Sequence, residues 1–185
     1  EKLAEDTMVI FTSDNGPERT WKKRVELYGH HSSGIYREGK RSIYEGGHRV
    51  PFLIRWPAKV KAGSSWGGPV CQTDLLATFA DMLGKKLPDN AGEDSDSFYD
   101  ALTGAKEIPP RVPMVNHGSQ GRFAVREGKW KLVMEDARRG KRELYDLSSD
   151  PKETKNIIST HRDIEGELAG KLTALIAKGR STPGK

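Results

Sequence analysis

The 185 residues suit one domain or one and a half, enough to bury a real core. Hydrophobic content of 35% and charged content of 31% describe a chain on the polar side, with no run near the ~18 apolar residues of a membrane span. Net charge is +5, but acidic residues are spread among the basic ones, which suits an anionic partner and a solvated surface equally.

The start, Glu1-Lys2-Leu3-Ala4, is neither an initiator Met nor a signal peptide, so the chain is expected to be cut from something longer, or processed. Residues 1–6 read as the end of a helix feeding a strand. The run T-M-V-I-F-T-S-D-N-G-P (7–17) is apolar and β-branched until it stops at turn residues. Such a run predicts a strand buried on both faces of a parallel sheet. Ligands of open α/β sheets sit beyond the carboxyl ends of strands, where Asp14 and Asn15 fall. The same four residues, Asp-Asn-Gly-Pro, also make a good turn with no ligand at all.

Residues 18–42 are charged and irregular, which predicts a long surface loop. The segment V-P-F-L-I-R-W-P (50–57) predicts a second buried strand bounded by its prolines. Leu75, Leu76, Phe79, Met82 and Leu83 recur at helical spacing before Gly84. Cys71 is the single cysteine, so no intrachain disulfide can form, and it reads as a structural thiol near that helix start. A connection over 85–112, with one helical turn near 98–102, leads to strands at 122–126, 130–135 and 143–147, with a fourth at 112–116. Turn residues between them predict an antiparallel meander. The basic run Arg138-Arg139-Gly140-Lys141-Arg142 has no interleaved aromatics and reads as a hairpin tip, not a nucleic-acid contact. Ile164, Leu168, Leu172, Leu175 and Ile176 mark one face of a C-terminal helix that would cover one side of the small sheet.

Several segments together resemble the sulfatases of the alkaline-phosphatase-like superfamily: V-I-F-T-S-D-N-G-P (9–17), G-K-R-S-I-Y-E-G-G-H-R-V-P-F-L-I-R-W-P (39–57), Q-T-D-L-L-A-T-F-A-D-M-L-G (72–84), F-A-V-R-E-G-K-W-K-L (123–132) and E-L-Y-D-L-S-S-D-P-K-E-T-K-N (143–156). Their order is that of the C-terminal third of a sulfatase. The resemblance implies an α/β fold: the end of an alkaline-phosphatase-like central sheet over 1–110, then a subdomain over 111–185 with a small antiparallel sheet packed on a helix. It implies that Asp14 and Asn15 ligate a divalent cation, usually calcium with magnesium as the alternative, and that the Lys40 ammonium reaches the sulfate. Hard Ca²⁺ takes oxygen ligands at about 6–8 positions, in keeping with a carboxylate beside an amide. Outside the family, a Lys in a Gly-flanked loop is simply exposed. Glu45-Gly46-Gly47 reads as the turn that orients the loop, and Arg49 as an ion-pair partner. His117, His30, His31 and His48 inherit no role by motif; they are candidate pocket residues or plain loop histidines.

Sulfatases attack through a formylglycine made in a C/S-x-P-x-R motif, which this chain lacks, since Cys71 is followed by Gln72-Thr73-Asp74. The resemblance therefore implies that the intact protein is a calcium-dependent sulfatase hydrolysing a sulfate ester or sulfamate of a small molecule or glycan. The nucleophile would lie upstream, and the 185 residues alone would have no turnover. The N-terminal part of the same sulfatase is then an expected partner; nucleic acid and a membrane span are not. Export to the bacterial periplasm or exterior, or to the lysosome in animals, follows from the family. Two alternatives remain: a phosphatase, phosphodiesterase or phosphonate hydrolase of the same superfamily, and a non-catalytic module holding an anionic polymer.

Overall fold

The computed structural model describes residues 3–119, 121–134 and 141–182. The expected hairpin tip falls mostly outside them. The chain divides into two compact units: Glu1–Phe11, Phe52–Met114 and Ala174–Lys185 form one, Thr12–Pro51 and Val115–Thr173 the other. The sequence predicts a single boundary after residue 110; the crossing at 114/115 lies near it, and residues 12–51 group with the small sheet.

In the first unit, β1 (Val9–Thr12) pairs with β2 (Phe52–Arg55) in a two-stranded sheet. Burial on both faces is not observed. Val9, Phe11 and Leu53 are more than half exposed, and the alternation along each strand is that of a sheet covered on one side. Phe52 rests edge-on against Phe98, ring centroids 5.7 Å apart. Residues 3–6 form a turn closed by the Thr7 hydroxyl donating to the Leu3 carbonyl (2.7 Å), rather than the expected helix end.

The predicted helix starts with a 3₁₀ turn, Gln72–Asp74, and continues as α3 (Leu75–Met82). Asp74 is almost wholly buried and has every acceptor used. It takes the Cys71 amide (2.7 Å), the Asp96 amide (3.1 Å) and a two-pronged contact from Arg111 (2.7 and 3.1 Å). A buried carboxylate is tolerated when it is paired and hydrogen-bonded in this way. This pins the helix start to the strand-poor connection, which carries α4 (Tyr99–Thr103).

In the second unit, the expected loop over 18–42 contains a helix, α1 (Trp21–Tyr28). No residue of it is buried, so its sequence W-K-K-R-V-E-L-Y carries no strong apolar face to read. It stops at Gly29, whose φ of 63° is the left-handed cap conformation glycine adopts without penalty. A one-turn helix, α2 (Glu45–His48), follows.

The small sheet has the order β3 (Met114–His117), β4 (Phe123–Glu127), β5 (Trp130–Val133), β6 (Glu143–Asp146). The β4–β5 and β5–β6 pairs are antiparallel, as the turn at Glu127-Gly128-Lys129 predicts, with Val125 opposite Leu132 and Leu132 opposite Leu144. These three pack with Leu168 and Leu172 of α5 (Arg162–Lys178), so the helix covers one face. The other face carries Ala124, Val133 and Tyr145, and is closed by Ile43 and Tyr44 from the segment before α2. The sheet is thus covered on both sides, and the segment that packs on the second face leads directly into α2.

Candidate functional site

The turn after β1 is built by close backbone approach. The Gly16 amide donates to the Gly47 carbonyl (3.0 Å), and a Cβ on Gly16 would collide with the Gly46 carbonyl oxygen. Gly46 in turn lies against the Arg37 and Glu38 carbonyls, and its own amide donates to Arg37 (2.9 Å). Only glycine fits at such contacts. The D-N-G-P turn and the E-G-G-H turn are thus one interlocked unit. The loop carrying Lys40 joins it through the Lys40 amide, which donates to the Pro17 carbonyl (2.9 Å).

These elements surround a cleft of about 690 Å³ whose lining includes Ser13, Asn15, Ser33, Tyr36, Lys40 and Arg49. Asn15 and Lys40 therefore open onto the same space; Asp14, exposed on the preceding residue, is not in that lining. The Asn15 amide nitrogen donates to the Gly16 carbonyl (3.1 Å), which leaves its Oδ1 as the atom available to a cation. The Asp14 carboxylate takes a long contact from the Ser13 hydroxyl (3.4 Å). An available carboxylate and an amide oxygen on adjacent residues suit a hard divalent cation. Two oxygens make less than half of a calcium shell, and among the described residues no group of three or more His, Cys, Asp or Glu is placed to hold a metal.

The Lys40 ammonium has Glu18 as its near counter-ion (3.8 Å). Glu18 also pairs with Arg41 (2.5 Å), and that hydrogen bond, with the Arg19 amide, holds its carboxyl down at about 2. Glu18 is thus anionic throughout the ordinary pH range. Lys40 is about one-third exposed and loosely paired, so an entering anion can compete for it.

The histidines are placed differently from one another. His30 and His31 are exposed on the loop after α1, and His117 is exposed on β3 with its ring stacked on Phe123 (4.5 Å, interplanar 5°). None of the four candidate histidines is among the residues lining the cleft. His48 lies at the end of α2, its Nε2 buried without a hydrogen-bond partner among the described residues. Burial, with the nearby Lys131 charge, pushes it down from 6.5 to about 4. Between these values the unfolded chain takes up a proton that the native imidazole refuses, so stability present above pH 6.5 is lost as pH falls towards 4. The loss is up to about 3 kcal/mol. Melting temperatures of the parent protein should fall more steeply over that range than those of His48→Gln; parallel slopes would remove His48 as the cause.

Sequence reasoning missed Tyr36 and the residues beneath the site. Arg49 donates to the Tyr36 hydroxyl (3.1 Å) and pairs with Glu45 (2.9 Å), one helical turn away. Below them Glu45, Lys131 and Glu153 form a buried ionic cluster. Burial raises the Glu45 carboxyl, but Lys131, Arg126 and Arg49 outweigh it and hold the group low. For Glu153 burial dominates and pushes the carboxyl up despite Lys131.

Residues 33–178 match the family model described as N-sulphoglucosamine sulphohydrolase, C-terminal. The chain is 36% identical to an N-acetylgalactosamine-6-O-sulfatase of Bacteroides thetaiotaomicron, over 91% of this chain and 36% of that protein. It is 33% identical to human arylsulfatase A, over 84% of this chain and 34% of that one. Among solved structures, a Bacteroides thetaiotaomicron protein studied for metabolism of multiple glycosaminoglycans superposes with a TM-score of 0.80 at 34% identity, over 94% of this chain and 39% of that one. The chain thus spans about a third of the length of these relatives.

Proposed function

This chain belongs to the sulfatases, as a C-terminal portion of the alkaline-phosphatase-like fold, and from that premise we propose that the intact protein hydrolyses a sulfate ester or sulfamate carried by a glycan. The observation that carries the reading is that Asn15 and Lys40 line one cleft, on loops locked together through Gly16, Gly47 and Pro17. Asp14 and Asn15 would hold a calcium ion from one side, the N-terminal part of the same protein supplying the other ligands and the formylglycine nucleophile. When bound, the ion supplies positive charge to a sulfate oxygen. Lys40 binds and orients the anion, exchanging Glu18 for a sulfate oxygen, and holds the charge that concentrates there as the bond to the leaving group breaks. The sulfated amino sugars named in the family model's description and for one relative favour a glycan over a simple aryl ester as the natural substrate. Residues 1–185 by themselves would lack turnover.

The test is release of inorganic sulfate by the intact protein from sulfated amino sugars, with and without a chelator. Metal-dependent release is expected. Faster cleavage of phosphate monoesters or diesters than of any sulfate ester would replace this reading with phosphoryl chemistry. Salt-sensitive retention on a sulfated polysaccharide, with no turnover, would replace it with a binding module.

A further inference from the structure

The C-terminal motif D-P-K-E (150–153) touches neither the cleft nor the proposed metal ligands, yet its glutamate is among the most buried residues of the chain. Asp150 caps the loop, its carboxylate accepting the Thr154 and Lys155 amides (2.8 Å each). This turns Glu153 inward with φ of 52°, a conformation that side-chain-bearing residues rarely adopt. Glu153 Oε2 accepts the Glu45 amide (2.6 Å), the first residue of α2, and its Oε1 lies 2.8 Å from the Lys131 ammonium. The Oε1 contact is ionic and falls outside hydrogen-bond geometry. Lys131 itself is fully buried on β5 and also reaches Glu45 Oε1 (3.0 Å). Arg37 closes the ring: its guanidinium donates to the Glu153 carbonyl (2.9 Å) and its own carbonyl accepts the Gly46 amide (2.9 Å).

An elaborate buried ionic cluster is a weak source of stability, because desolvation offsets most of the attraction. What it does fix is position. Glu153, Lys131 and Arg37 each bond to Glu45 or Gly46, and the next contact outward is Gly47 to Gly16, beside Asn15. We infer that Lys131 and Glu153 are positioning residues for the metal-binding turn, acting through α2 to set where Asn15 and Asp14 present their oxygens. The inference rests on the proposed role of Asp14 and Asn15 as metal ligands. Outer partners that orient metal ligands carry about 10–100-fold in metal affinity or activity.

The experiment uses the intact enzyme stripped of metal, titrated with Ca²⁺ by calorimetry and assayed with an aryl sulfate. Two variants are compared with the parent: Lys131→Met/Glu153→Leu, which removes the charged pair together, and Glu153→Gln, which keeps an acceptor for the Glu45 amide. The expected result is a Kd for Ca²⁺ raised about 10–100-fold, whatever the change in melting temperature, with turnover recovering at excess Ca²⁺. A lowered melting temperature with unchanged Ca²⁺ affinity would make the cluster a purely structural feature and overturn the inference. Should the double variant not fold, Glu153→Gln carries the measurement by the same criteria. If the parent enzyme itself binds no Ca²⁺, the metal role of Asp14 and Asn15 falls and the inference falls with it; binding by parent and variants alike overturns the inference alone.

Discussion

Lys40→Ala in the intact enzyme is expected to lower turnover on a sulfate ester by about a hundred- to a thousand-fold while leaving the fold intact, the cost typical of losing one preorganised donor to a developing anion. The backbone around Lys40 does not depend on its side chain. What holds the loop is the amide bond to the Pro17 carbonyl and the fit of Gly39 against Pro17 and Trp21, all of which alanine preserves. The ammonium's side-chain partner among the described residues is the exposed Glu18 at 3.8 Å, and an exposed ion pair of this kind contributes about 0–1 kcal/mol. Melting temperature should therefore barely move while kcat collapses. Arginine should not restore the rate, because its planar fork places charge differently from a compact ammonium on a flexible stem. Near-parental turnover by Lys40→Ala would take this residue out of the sulfate site altogether. A fall in melting temperature matching the fall in rate would instead assign it to the scaffold.

How much of this was legible in the sequence depends on whether a residue advertises its surroundings locally. The small sheet was readable because short strand-like runs are separated by turn residues, and the two-residue turn at Gly128 sets the register of the first pair. The place of Asp14 and Asn15 just past a strand was readable because an apolar run ends there, and the meeting of Lys40 with Asn15 at one cleft only through the longer motif around Lys40. By contrast α1 escaped notice because helix formation without a buried face leaves no periodic signal. The double-sided burial expected for β1 is not reached within these 185 residues, where Phe11 is 65% exposed, because the chain spans only about a third of its relatives' length. Lys131 and Glu153 were the least readable. In the sequence each is an ordinary charged residue beside others, and such residues are almost never fully buried unless paired. Their partners lie far along the chain, at Glu45, so nothing in the local pattern marks them. The position of His48, inside the fold rather than on the cleft, was hidden for the same reason.

Gly16→Ala is expected to abolish metal-dependent activity and to destabilise the protein by about 1–3 kcal/mol or more, the range for forcing extra volume into a packed interior. The reason is contact rather than backbone conformation. Gly16 is not among the glycines with positive φ, so alanine could adopt its dihedrals. Its Cβ, however, would penetrate the Gly46 carbonyl oxygen and press on the Gly47 Cα, both backbone atoms that cannot rotate away. Gly46 cannot retreat, since it already abuts the Arg37 and Glu38 carbonyls. The turn carrying Asp14 and Asn15 must therefore lift off α2 and give up the Gly16 amide bond to Gly47, moving the proposed metal oxygens away from Lys40. The same substitution at Gly170 makes the control. That glycine lies exposed within α5, with nothing within 4 Å of where a Cβ would sit. There alanine should stabilise by about 0.5–1 kcal/mol through helix propensity alone. One chemical change thus carries opposite signs at two sites, read by unfolding and by Ca²⁺ titration side by side. Parental stability and Ca²⁺ affinity in Gly16→Ala would mean that the interlocked glycines do not hold the site.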